Sequence, residues 1–100
     1  MADDSFRDFV LEQLGPGVDC RAMFGGHGLY RDGAFFGILS KGRFYLRTSP
    51  RTRKDFLERG MNPFRPNARQ TLRSYYEVPP DVLEDRETLR RWAERSARTG

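Results

Sequence analysis

Apolar residues recur every three to four positions near both ends of the chain and every second position across much of its middle, and these changes of period predict the elements. Phe6, Phe9, Val10 and Leu14 share one face of a predicted helix over residues 5–14, with Arg7, Asp8, Glu12 and Gln13 towards water. Ser5 suits its cap and Asp8 its first turn. Gly15-Pro16-Gly17 ends it, because proline lacks the next N–H and glycine tolerates turn dihedrals. Alternation then takes over. Residues 20–24 and 28–31 read as one strand bent or interrupted by its glycines, and Asp32-Gly33 is a hairpin turn. A second strand over 34–40, a tight turn at Lys41-Gly42 and a third strand over 43–48 complete a meander.

Ser49-Pro50 reads as an N-cap and first helical residue, opening a short helix over 51–59 that stops at Gly60 in a left-handed cap. Asn62-Pro63 and Arg65-Pro66-Asn67 leave room only for a brief edge strand near Phe64, before a longer strand over 71–78 ends at Pro79-Pro80. Asp81 to Glu84 form a separate turn. The last helix follows Asp85 as N-cap, with Glu87 in its first turn and Leu89, Trp92, Ala93, Ser96 and Ala97 as its apolar stripe; residues 98–100 are expected to fray.

The predicted fold is α+β and two-layered: an antiparallel sheet with helices packed on one face, in the order α-β-β-β-α-β-β-α. Phe36, Phe44 or Leu46 would meet the Trp92 stripe under the helices, although periodicity alone leaves either set of each strand free to face inward. The other face would hold aromatics from the set Phe35, Tyr45 and Tyr75. Apolar rings left on a sheet face mark an association surface for a protein partner or a second copy of the chain.

One hundred residues with 37% hydrophobic content fit a single domain spanning 1–100, with its core at about 5–97. No apolar run approaches the roughly 20 residues of a membrane helix, and the opening residues are acidic rather than a basic signal region, so no membrane association and a cytoplasmic location are expected. Cys20 is the single cysteine, which excludes an internal disulfide and the usual cysteine-rich zinc site. The net charge of +4 is unevenly spread. Residues 41–73 carry ten Lys or Arg against Asp55 and Glu58, whereas 1–40 and 77–94 are each net acidic by three charges. Arg43, Arg47, Arg51, Arg53, Lys54, Arg59, Arg65, Arg69 and Arg73 are therefore the candidate contacts for phosphates, with Tyr45 and Tyr75 as stacking rings. No helix-turn-helix, zinc-finger or aromatic RNA-binding signature accompanies them, so any nucleic-acid binding would ignore sequence and weaken in salt.

Catalytic chemistry finds little support. The Gly25-Gly26-His27-Gly28 cluster resembles an anion cradle in composition, but it lacks the phosphate-loop lysine and the dinucleotide spacing. Bending the strand or allowing close backbone packing explains it better. His27 has no evident orienting partner, and nothing in the spacing joins it to Cys20. Asp81, Glu84, Asp85 and Glu87 read as caps and a solvated helix start, and Asp32 as a turn residue. Arg21 and Arg31 are best explained by ion pairs at the sheet edge. The expectation is a protein that is not an enzyme, with no catalytic, cofactor-binding or metal-ligating residue and no cofactor.

The run Met23-Phe24-Gly25-Gly26-His27-Gly28-Leu29-Tyr30, with Arg21, Arg31-Asp32-Gly33, Phe64, Ser74-Tyr75-Tyr76-Glu77-Val78-Pro79 and the Asp81-Val82-Leu83-Glu84-Asp85 turn, resembles the N-terminal domain of the TfoX/Sxy family of bacterial competence regulators. The resemblance covers roughly residues 5–97 and implies the same element order and a secretion-chaperone-like fold. It also implies a non-enzymatic protein-interaction role, as a transcription accessory or competence-related regulator working with the transcription machinery. Full-length members add a helical C-terminal domain, without which this N-terminal-like domain is expected to stand alone, and the family often has an aromatic residue at the His27 position.

Overall fold

Glycine-bearing connections lay out the sheet. Residues 32–33 and 41–42 each join two strands whose flanking residues pair directly, Arg31 with Ala34 and Ser40 with Arg43, and Met23 pairs with Gly26 in the same way. Gly25, Gly33 and Gly42 sit at φ of 73°, 81° and 73°, and Asp32 and Lys41 are themselves at 52°. Positive φ at both central residues is the turn whose twist matches paired strands, so Asp32-Gly33 and Lys41-Gly42 close hairpins without splaying them.

The computed structural model describes residues 4–23 and 25–99, apart from the side chain of Asp4. Helix α1 (Asp4–Leu14) leads into β1 (Asp19–Met23), β2 (Gly26–Arg31), β3 (Ala34–Ser40) and β4 (Arg43–Arg47). Then come α2 (Pro50–Leu57), β5 (Pro63–Asn67), β6 (Gln70–Glu77), α3 (Pro80–Glu84) and α4 (Arg86–Arg98). The strands form one antiparallel sheet in the order β1-β2-β3-β4-β6-β5. The α-β-β-β-α-β-β-α layout holds at this level. Its first strand, expected to bend at the glycines, instead folds back as the β1–β2 pair, because Gly25 supplies a left-handed turn residue. The part of that expectation that concerns Phe24 lies outside the described residues, as does the fraying expected of Gly100.

Several local expectations shift: Phe9, expected on the apolar face of α1, is exposed, Gln13, expected towards water, is buried, and the turn expected at Asp81 to Glu84 is the short helix α3. Helix α1 already includes Asp4, so Ser5 lies in its first turn rather than capping it. Helix α2 ends at Leu57, two residues short of Arg59, while Gly60 adopts the expected left-handed conformation at φ 71°. Arg98 remains helical, the Thr99 N–H donating to the carbonyl of Ser96 at 3.1 Å.

All four helices lie over one face. Val10 and Leu14 of α1, Phe56 of α2, Val82 of α3, and Leu89 and Ala93 of α4 pack on Leu29, Phe36, Leu39, Phe44, Leu46 and Tyr76 of the sheet. Leu29 opposes Gly37 while Tyr30 opposes Phe35, so Phe36 is the extra residue of a β-bulge. Few polar groups enter this layer, and the buried Gln13 and Ser96 side chains are bonded. Ser96 donates to the Arg47 carbonyl at 2.7 Å, and Gln13 Nε2 to the Leu83 carbonyl at 3.1 Å. Arg90 Nε reaches the Gln13 carbonyl at 2.8 Å. These bonds tie α4 to β4 and α1 to α3 and α4, where an unbonded buried group would be costly.

Ser49 and Asp85 cap α2 and α4 as expected. Ser49 and Thr52 form a reciprocal capping box on α2. Asp85 caps α4, accepting from the Thr88 hydroxyl at 2.8 Å and the Thr88 N–H at 3.4 Å. The bond from the Thr88 side chain, helped by backbone N–H donors, holds its carboxyl below the usual value of 3.8. A depressed folded-state value means that the cap's contribution is present above the unfolded value and fades as pH falls through the lowered one. Asp85→Asn keeps a capping oxygen that does not titrate, so its thermal unfolding below pH 4 should depend less steeply on pH than that of the parent. Parallel acid limbs in the two proteins would contradict this.

Candidate interaction surface

The face away from the helices is built from strands alone. Ile38, Tyr45 and Phe64 are buried there, with Phe35, Leu72 and Tyr75 packed against them. Alternation assigns these positions: Phe44 and Leu46 point to the helices, so Tyr45 and its neighbours Arg43 and Arg47 point away. On the surface of this cluster, Phe35 lies between Tyr30 at 5.1 Å and Tyr75 at 5.4 Å, all tilted ring contacts. The Arg21 guanidinium sits 5.0 Å from the centre of the Tyr30 ring. The three half-buried rings thus make a row across β2, β3 and β6 with a cation at one end.

Of the three rings expected at an interface, the structure leaves Phe35 and Tyr75 accessible. Tyr45 is 9% exposed and Phe64 2%, their ring centres 4.8 Å apart, so Tyr45 is packed within the cluster and offers no stacking platform. Burial raises the pKa of both tyrosines, with Glu77 adding to the rise at Tyr45 while Arg43 opposes it. At Tyr75, Arg47 opposes the rise and Tyr30 adds to it. Both hydroxyls are therefore neutral donors near pH 7. Tyr30 was missed by sequence reasoning, yet counting outward from the Asp32-Gly33 turn places it opposite Phe35.

The fold divides the basic stretch. Arg43 pairs with Glu77 and Arg59 with Asp81, each at 2.9 Å. Arg47 lies beside Tyr75 on the aromatic face. Arg51 and Lys54 are exposed on α2, and Arg69 is exposed in the β5–β6 turn, where its backbone N–H donates to Asn67 Oδ1. Arg53 donates from Nε to Thr48 Oγ1 at 3.1 Å, its guanidinium 6.0 Å from the Tyr76 ring centre.

Arg65 and Arg73 line a recess of about 520 Å³ with Asn62, Pro63, Thr71 and Tyr76. The strand register explains it. Pro63 opposes Tyr76 but Phe64 opposes Leu72, so Arg73, Ser74 and Tyr75 have no counterpart on β5 and bulge from the ladder. Among the described residues, Arg47, Arg51, Arg53, Lys54, Arg65, Arg69 and Arg73 have no carboxylate partner. On α4, by contrast, Arg91, Arg95 and Arg98 pair with Glu87, Asp55 and Glu94.

The glycine cluster is a packing device. A Cβ on Gly26 would lie 2.0 Å from the Leu39 carbonyl oxygen, and one on Gly28 would lie 2.4 Å from Met23 Sδ and 3.0 Å from Phe35. The spacing left Cys20 and His27 apart, but the register makes them diagonal neighbours on adjoining strands: Cys20 opposes Leu29, and His27 opposes Ala22. Burial pushes the Cys20 thiol up, against a smaller opposite effect of Arg7, which is contrary to the lowered value of a reactive thiolate. The ion pairs expected of Arg21 and Arg31 do not form among the described residues: Arg21 stacks on Tyr30, and Arg31 Nε is buried without a partner. No group of three His, Cys, Asp or Glu among the described residues can hold a metal, and none of their helices is long and apolar enough to cross a membrane.

Residues 10–99 match the family model of the TfoX N-terminal domain. The chain belongs to this family. That match covers nearly the whole chain and agrees with the resemblance carried by the glycine cluster and the Ser74-Tyr75-Tyr76 run; the TfoX N-terminal domain is of a competence or regulatory type. No curated protein matches the chain.

Proposed function

We propose that this TfoX N-terminal domain is a non-enzymatic, cytoplasmic protein-interaction module, serving as an accessory to the transcription machinery or as a competence-related regulator. The observation that carries this reading is the row Tyr30–Phe35–Tyr75 on a sheet face that no helix packs against. Half-buried rings with polar tips and flanking arginines are the composition of interface centres, where area is large and little side-chain freedom is lost. A second reading, sequence-independent binding of nucleic acid, is favoured by the basic residues of α2 and β5–β6 that lack carboxylate partners.

One experiment separates the two. The tagged protein is recovered from its own cells with and without nuclease, beside Phe35→Asp/Tyr75→Asp and Arg51→Glu/Arg53→Glu/Lys54→Glu variants. The first reading expects a protein that survives nuclease and is lost, by on the order of a hundredfold, with the aromatic variant alone. Recovery that vanishes with nuclease and with the basic variant would replace it by the second. Circular dichroism of each variant checks that the fold is retained.

A further inference from the structure

The two edges of the sheet differ. At one end β5 carries Pro63 and Pro66, which lack N–H donors, has Arg65 between them, and pairs irregularly with β6. Prolines, a charged side chain and a broken register are the devices that stop an edge from accepting another strand. At the other end β1 has neither proline nor a broken register, and its two charged residues, Asp19 and Arg21, are of opposite sign, so they can pair with those of another strand instead of repelling it. Asp19 to Met23 run without proline or glycine in unbroken register with β2, and Asp19, Arg21 and Ala22 are exposed.

The hairpin decides which backbone groups of β1 are free. Met23 and Gly26 close a two-residue connection, so they are a hydrogen-bonded pair, and bonding alternates from there. Met23, Arg21 and Asp19 therefore bond to β2, while the N–H and C=O of Cys20 and Ala22 point outward from the sheet. The same parity runs through β2–β3, where Arg31 and Ala34 close the next hairpin, and β3–β4, where Ser40 and Arg43 close the third.

We infer that the β1 edge pairs antiparallel with β1 of a second copy about a two-fold axis at Cys20, joining two sheets into one. A symmetric antiparallel pair must set some residue against its own mate. Centring on Arg21 or Asp19 would oppose like charges, which is unfavourable. Centring on Ala22 would leave both charges unpaired. Centring on Cys20 sets Asp19 against Arg21 of the second copy, twice, in the non-hydrogen-bonded positions where side chains approach most closely. The same register uses the outward groups of Cys20 and Ala22. It also brings the small apolar Ala22 against Val18 of the second copy on the helix side. Charge falls opposite charge on one face of the joint and apolar opposite apolar on the other.

Sedimentation of the purified chain tests this. The parent should be a dimer, and Ala22→Pro a monomer with unchanged circular dichroism, because the proline removes only an outward N–H. Asp19→Arg and Arg21→Asp, each at an exposed position, should each weaken dimerisation on the order of tenfold, and the double exchange should restore it. A parent that stays monomeric at high micromolar concentration overturns the inference, as does a dimer that persists in folded Ala22→Pro or a double exchange that fails to recover. Should Ala22→Pro not fold, the charge exchange decides alone.

Discussion

Gly26→Ala is expected to cost the fold about 3 kcal/mol, read as a lowered urea midpoint, because the new methyl would collide with the backbone at the Leu39 carbonyl oxygen, 2.0 Å away. Backbone in a paired strand cannot rotate aside as a side chain can, so β2 and β3 must separate locally. Gly25→Ala tests a different mechanism. Nothing lies within 4 Å of its methyl, and only the left-handed φ of 73° is penalised, at about 1 kcal/mol. An anion cradle would rank these neighbours otherwise, with stability little changed in both and anion binding lost. Equal small losses of stability would thus remove the packing account of the glycine cluster.

Phe56→Ala should be the largest loss in the helical layer, about 4 kcal/mol by chemical denaturation. Phe56 is 1% exposed, and its ring centre lies 4.9 Å from that of Trp92 and 6.2 Å from that of Tyr76. It is the buried residue by which α2 holds to α4 and β6. Its removal empties the joint on which the helix bearing Arg51, Arg53 and Lys54 rests. Hydrogen exchange in α2 should therefore accelerate more than in β2 or β3. Uniform acceleration through the chain would mean that α2 opens only with the whole domain. Leu57→Ala, at a side chain 55% exposed, is the comparison within the same helix and should lie within about 0.5 kcal/mol of the parent.

Local chemistry made much of this architecture legible. Ser49-Pro50, Asp85 with Glu87, Asp32-Gly33 and Lys41-Gly42 each act through residues within a few positions of one another, and each stands where its chemistry placed it. The division of the first strand was harder to see, because a glycine that bends a strand and one that reverses it look alike until φ is known; Gly25 at 73° reverses it. The interaction surface was half visible. Alternation named Phe35, Tyr45 and Tyr75 as candidates for the face away from the helices without deciding which of them it holds, and the burial of Tyr45 involves Phe64, which arrives from β5, beyond α2. The basic stretch read as one patch because sequence distance ignores topology: Arg43 and Arg47 lie on β4, while Arg65 and Arg73 frame a recess on the β5–β6 pair. Ion pairing removed Arg43 and Arg59 from the unpaired set through Glu77 and Asp81, both distant in sequence.

The bulge in β6 has a geometric consequence for any ligand. Arg73 and Tyr75 are separated by a single residue, yet Arg73 lines the recess with Tyr76, whose ring belongs to the helix-side core, while Tyr75 belongs to the aromatic face. The Ser74 carbonyl between them is held by the N–H and hydroxyl of Thr48, at 2.6 and 2.9 Å. A flat partner can press on one side of this short segment but not on both. A single molecule that engages both must turn around the proline-bearing β5 edge, as a flexible chain does and a rigid domain or a stiff duplex does not.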